Sequence, residues 1–342
     1  LLLPLLSQGL YAIFFWYGMR YAYKHKTYDY RSFSDSLYGK TRHVMSNLYE
    51  ICYLIMIGTA SAAAFATGGS TITTLFGIPY WMSTVIIGAF IFLIALFGTS
   101  VVRKCAATLS VLIIIGLVMV LVPNIIAQWG EITASAGRMA GGEMAVLSSE
   151  SGAFGPALWS AVLYFFFQLA SVSVMYQQME EVTDVKQINK AAIWIFVCNF
   201  AAMELSIIGL LAVAHVAELA AASIPMLVLV QNGVGAGILT PVISILIILG
   251  AISTAVNMIS GIVTRCVNAM ERRMSSKEEK EKGHLARNAV FTLLFTFLAF
   301  GIAQFGLMAV VSKGYAYLGY AALITLFIPF VVHALGTGMK EI

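Results

Sequence analysis

The distribution of charge along this chain constrains its fold more than any other feature. No Asp, Glu, Lys or Arg occurs in residues 1–19, 51–102, 105–130, 151–179, 219–264, 288–312 or 314–339. A membrane-spanning helix needs about 20 apolar residues, and each of these stretches supplies at least one such length. Only 11% of the 342 residues are charged and the mean hydropathy is +0.89, whereas a soluble domain carries roughly 25% charged residues. So little charge does not cover a water-facing surface, and the solvent the sequence is built for is lipid. The pattern predicts an all-α integral membrane protein with nine visible spans: 4–23, 44–67, 80–100, 105–126, 156–179, 189–213, 238–270, 287–311 and 315–336. The stretch 51–102 holds two of them, and Gly68-Gly69 with Gly77-Ile78-Pro79 signal the break between them.

Basic residues set the orientation. With the first span running outside to inside, 18 of the 20 Lys and Arg residues fall on inner loops, and Arg138 and Lys313 remain outside. This predicts a multi-pass protein of the plasma membrane with its C-terminus cytoplasmic. Nine is odd and the chain opens at Leu1 without Met, so the expectation is one further helix in front. Ten spans make two sets of five, and five being odd, the second set enters the membrane inverted.

The chain then reads as a single transmembrane domain, 1–342. Residues 1–126 carry helices two to five of the ten, 127–155 form a long outer loop rich in Gly, Ser and Ala, and 156–342 carry helices six to ten. Residues 216–236 read either as an ordinary loop or as a short helix that starts at Ser223-Ile224-Pro225 and stops at Asn232-Gly233. The charge run Met270–Gly283 reads as a solvated extension of the preceding span. Net charge of +4, spread over short loops, implies a lipid bilayer and no nucleic acid as partner.

Inside a bilayer, polar or irregular backbone is tolerated where protein or a water-filled cavity receives it. Three places qualify. Gln168, Ser171 and Ser173 lie mid-span in 156–179, where either a broken helix exposes backbone groups to a ligand or an unbroken one bonds its neighbours. In 238–270, Ser253, Asn257 and Ser260-Gly261 share a face by their spacing. The adjacent hydroxyls Ser253-Thr254 offer hard oxygens to a small cation, and small-residue helix packing uses the same residue types. Glu204, in the middle of 189–213, is either a proton relay or a neutral carboxyl bonding a neighbouring helix. The sequence contains no HExxH, GxSxG or Walker A pattern, so no enzyme and no cofactor is expected, and energy for pumping would come from an ion gradient.

The span order, the run Ala64-Phe-Ala-Thr-Gly-Gly69 with Phe76-Gly-Ile-Pro-Tyr-Trp81, the segment Tyr164–Tyr176 and the segment Gly250–Gly261 resemble the YkvI-like membrane proteins. These are relatives of the amino acid–polyamine–organocation transporters. The resemblance covers most of the chain. It implies the LeuT-type fold of two inverted five-helix repeats, with the first helix of the ten-helix core missing from the visible spans. It further implies an unwound sixth helix at Leu169–Ser173, lacking the family's usual glycine, and a substrate site including Tyr164, Gln168, Ala170, Ser171 and Ser173. It places Na+ at Ser253 and Thr254 of helix eight, and the absence of Lys from 105–126 favours sodium over proton coupling, with Glu204 the candidate proton-coupling group. The function so implied is a cation-coupled symporter of an amino acid or similar small organic solute. The alternative is a small-molecule sensor in a transporter fold, akin to germinant-receptor subunits, which binds without transport.

Overall fold

A computed structural model describes residues 2–97, 99–142, 154–271, 274 and 277–342. The described chain is helical and contains no strand. Its main helices are α1 (Leu2–His25), α2 (Tyr30–Tyr38), α3 (Arg42–Phe76), α4 (Tyr80–Phe97), α5 (Thr99–Ala127), α6 (Trp129–Ala140), α7 (Phe154–Ser171) and α8 (Val185–Leu211). There follow the short α9 (Glu218–Ala221) and α10 (Pro225–Gln231), then α11 (Ala236–Glu271) and α12 (Lys277–Ala303). The last span joins α13 (Leu307–Ala309), α14 (Tyr315–Ala322) and α15 (Ile328–Thr337) through two π-helical turns, Val310–Gly314 and Leu323–Phe327. Nine helical segments of the described residues are long and apolar enough to cross a membrane, one for each predicted span. The protein is accordingly an all-α, multi-pass membrane protein.

Two expected irregular segments turn out helical. Gly68-Gly69 do not break α3, which runs on to Phe76. The glycines instead admit α4: a Cβ on Gly69 would lie 2.4 Å from Thr84 Cγ2, and one on Gly68 3.0 Å from Ile87 Cδ1. The break is made by Gly77, at φ +65°, a conformation that suits glycine, and by Pro79, whose carbonyl accepts the amides of Met82 and Ser83 as α4 begins. Likewise, residues 129–140 of the expected outer loop form α6. Glu131 in its first turn and Arg138 in its last complement the helix dipole, and Gly141-Gly142 follow its end. Residues 143–153 of that loop lie outside the described residues. Of the charge run after α11, residues 272, 273, 275 and 276 also lie outside them, and Lys277 already belongs to α12. The short helix α10 forms where Ser223-Ile224-Pro225 announced it, with Pro225 in its first turn.

The chain divides into two compact units. One comprises Leu1–Met56, Ser148–Ile207 and Ser312–Ile342, the other Ile57–Leu147 and Ile208–Val311. Each draws on both sequence halves. In the first, α7 packs against α1 and α14, and α2 against α15. Its core is aromatic: Phe14 lies 5.4 Å from Phe165 and 5.0 Å from Phe327, and Phe33 stacks on Tyr176 at 4.0 Å. In the second unit α11 packs against α4, α5 and α12, and α4 against α12. There α10 sets Leu227 and Val230 against Val120 of α5 and Ile243 of α11.

Candidate functional site

The polar residues of the first unit gather where α1, α7 and α8 meet. Gln8 of α1 is fully buried. Its Nε2 donates to Gln168 Oε1 of α7 at 2.8 Å and to Met203 Sδ of α8 at 3.0 Å. One turn along α1, the Tyr11 hydroxyl stands 3.4 Å from Ser171 Oγ. Gln8 Oε1 is buried and meets no donor among the described residues, and the same holds for Glu204 Oε1 on α8. Such unpaired groups are uncommon in folded proteins, because a polar atom shut away without a partner is costly.

At this junction α7 gives up α-helical geometry. Beyond Ser171 the backbone continues as 3-10 turns over Val172–Val174 and Tyr176–Glu180, with Met175 N–H bonded to Val172 O and Gln178 N–H to Met175 O. The two serines explain the change locally. Ser171 Oγ donates to the carbonyl of Gln168, and Ser173 Oγ to that of Ala170, each three residues back and each at 2.6 Å. Hydroxyls that bond nearby carbonyls compete with the α-helical ladder. Tyr49 of α3, fully buried, adds a 2.7 Å hydrogen bond to Ser173 Oγ.

The expected substrate residues therefore divide. Gln168 and Ser171 come together with Gln8 and Tyr11. Ser173 is buried and held by Ala170 and Tyr49. Ala170 is buried at the bend. Tyr164 is 37% exposed on α7, with its ring 5.7 Å from Phe167 and its hydroxyl near enough to Tyr11 to interact with it electrostatically. Glu204 sits half-buried beside Met203. Ser253 and Thr254 belong to the second unit, on an α11 that is unbroken through the whole of Gly250–Gly261. Ser253 is half-buried, Thr254 and Asn257 are exposed, and Ser260 is buried with its Oγ unpaired among the described residues.

No family model matches the chain, and no curated protein does.

Sequence reasoning missed Gln8, Tyr11, Tyr49 and Met203. Gln8 carried the signal used for Gln168, a carboxamide within a charge-free span. His333, of the last span, is half-buried, with Nδ1 2.6 Å from the Tyr17 hydroxyl and Nε2 3.2 Å from Glu341. Glu50 is held by Arg31 at 3.0 Å and by the Tyr30 hydroxyl at 3.1 Å.

Proposed function

We propose that this protein is a cation-coupled secondary transporter of an amino acid or similar small organic solute, working by alternating access on a LeuT-type inverted-repeat framework. The observation that carries the reading is the loss of α-helical geometry at Val172–Val174, in the last turn of the apolar segment Phe154–Val174 and near the part-buried Gln8–Gln168 pair. Irregular backbone at membrane depth accompanies binding sites in transporters built on broken helices.

The composition of the two units supports the framework. An inverted repeat of five would relate α1 to α8, α3 to α11 and α4 to α12. The first pair shares one unit; the second pair, counting α3 beyond Met56, and the third share the other, while the fourth pair, α5 and the last span from Ser312 on, is divided between the two. Moving one unit against the other is the motion that alternating access needs. The resemblance to YkvI-like proteins adds Ser253 and Thr254 as oxygen ligands for Na+, and the basic-residue bias adds a cytoplasmic C-terminus.

The test is uptake of a labelled amino-acid mixture into proteoliposomes holding the full-length protein, under an imposed sodium or proton gradient. Sodium-driven uptake that disappears in Ser253→Ala/Thr254→Ala is expected. Proton-driven uptake would overturn the sodium assignment, and saturable binding with no uptake under either gradient would replace the transporter by the sensor.

A further inference from the structure

We infer that the seam between the end of α1 and the start of α8 seats the headgroup of an acidic phospholipid, with Arg20 and Lys186 as its two cations. The inference needs only that the protein crosses a membrane, and it stands apart from the transporter reading.

Two hydrogen bonds fix the seam. Trp16 Nε1 donates to Asn189 Oδ1 at 2.8 Å, and the Tyr23 hydroxyl donates to the Thr183 carbonyl at 3.1 Å. Residues 16–23 therefore run antiparallel beside residues 183–189. Arg20 lies four residues after Trp16 and three before Tyr23, spacings that share one helix face. That face is the one turned to α8. Lys186 sits between Thr183 and Asn189, three residues before Asn189 on α8, so it is turned to α1 in the same way.

Neither cation has an anion of its own. The Arg20 guanidinium lies 4.9 Å from the centre of the Trp16 ring and makes no hydrogen bond or ion pair among the described residues. Its Nε is shielded from water and has no acceptor there. A cation–π contact attracts the charge but leaves the N–H donors unmet. The Lys186 side chain is exposed and likewise unpaired among the described residues. Asp184, two residues before it, accepts the Lys186 backbone amide at 2.9 Å. Like charges on facing helix surfaces repel unless an anion comes between them. A guanidinium presents its donors in a fork that fits phosphate oxygens, and an ammonium adds a point charge. The positive end of α8, a helix of 27 residues, lies at the same place.

The surroundings of the two cations select a lipid over a free anion. Followed away from the charged end, the same two faces carry Ile13, three residues before Trp16, and Ile193 and Val197, four and eight after Asn189. All three are exposed. Exposed aliphatic surface next to paired cations complements an acyl chain joined to an anionic head. The basic-residue bias assigns this end to the cytoplasmic leaflet, where basic pockets between spanning helices hold acidic headgroups.

The test is native mass spectrometry of detergent-purified full-length protein. It is titrated with phosphatidylglycerol, with phosphatidylcholine of the same acyl chains, and with inorganic phosphate. Phosphatidylglycerol is expected to bind at least about tenfold more tightly than phosphatidylcholine, at about fivefold per cation near the headgroup. Inorganic phosphate at the same concentration should not displace it. Lys186→Gln, at an exposed position on which the fold does not rest, should cut the preference about fivefold. Arg20→Gln should cut it at least as far, and Arg20→Lys should keep part of it. Lys40→Gln removes an exposed cation that belongs to neither α1 nor α8 and should leave the preference unchanged.

Equal binding of the two lipids, an unchanged preference in Lys186→Gln, or the same loss in Lys40→Gln would overturn the site. Displacement of phosphatidylglycerol by inorganic phosphate would overturn the lipid as its occupant.

Discussion

Replacing Gly233 with alanine should loosen α10 from the second unit, and the cost can be built up from contacts. The added methyl would lie 2.0 Å from Asn124 Oδ1 and 2.7 Å from the Leu229 carbonyl oxygen, far inside the separation at which atoms attract. Asn124 is fully buried and held three ways: Oδ1 accepts Val234 N–H at 2.8 Å and Gln128 Nε2 at 3.0 Å, and Nδ2 donates to Val120 O at 2.7 Å. Turning it aside breaks these bonds and leaves the Val234 amide without its partner. At about 1 kcal/mol per bond, and more for a buried group left unpaired, the loss is about 3 kcal/mol. A seven-residue helix has little stability of its own to set against that. Gly237→Ala is the control, since nothing lies within 4 Å of its Cβ; it should be neutral or stabilising by up to about 1 kcal/mol. Thermal unfolding of purified protein gives the comparison, with hydrogen exchange at the Val234 amide as the local readout. Because the clash acts through Asn124, Gly233→Ala and Asn124→Ala should be strongly non-additive. Strict additivity, or a Gly233→Ala protein that melts like Gly237→Ala, would refute the reasoning.

Three further outcomes follow from packing. Gly69→Ala should cost about 1–3 kcal/mol by overpacking against Thr84, and Thr84→Ser, which removes the Cγ2 atom 2.4 Å from the new Cβ, should restore most of the melting temperature. Tyr49→Phe should cost about 1 kcal/mol, because Ser173 keeps its bond to Ala170; a larger drop on thermal unfolding would mean that Tyr49 holds more than the bend. Arg287→Met should loosen the tie between α11 and α12, since Arg287 meets Glu271 Oε1 at 2.7 and 3.1 Å. Its effect should be seen as faster hydrogen exchange at those helix ends.

What was legible in the sequence follows from what local patterns encode. Charge-free stretches set the spans because a charge within lipid is costly wherever it falls, and Pro225 marked α10 because its missing N–H belongs at a helix start. Gly68-Gly69 misled because a glycine pair serves equally as a breaker and as a place for close packing. What decides is the residue opposite, Thr84 or Ile87, and that is tertiary information. The stretch after Ala127 misled because its small residues suit a loop, although Ala134, Ala136 and Ala140 are equally good helix formers. At the site, Gln168 was legible as a polar residue in an apolar span. Its partner, 160 positions away on α1, was not, since no local pattern pairs two helices. Ser171 and Ser173 were legible as polar residues within the span, whereas the bond each hydroxyl makes to a carbonyl three residues back follows from the backbone conformation.

The two π turns of the last span make it sensitive to residue number as well as residue identity. A single π turn accommodates one surplus residue while the helix on either side keeps its facing. Deleting one residue within 310–314 or 323–327 can thus be absorbed by a return to ordinary α-helix. The second of these deletions would also disturb the Thr325 carbonyl, which accepts the Tyr38 hydroxyl. Deleting a residue from α14, where there is no surplus, would rotate the following segment by about 100°. Phe330 and His333 would then swing away from Tyr17, which they now face at ring separations of 5.6 and 6.2 Å. Along this helix, a map of tolerated deletions would mark the π turns as two islands of permissiveness on either side of an intolerant α14.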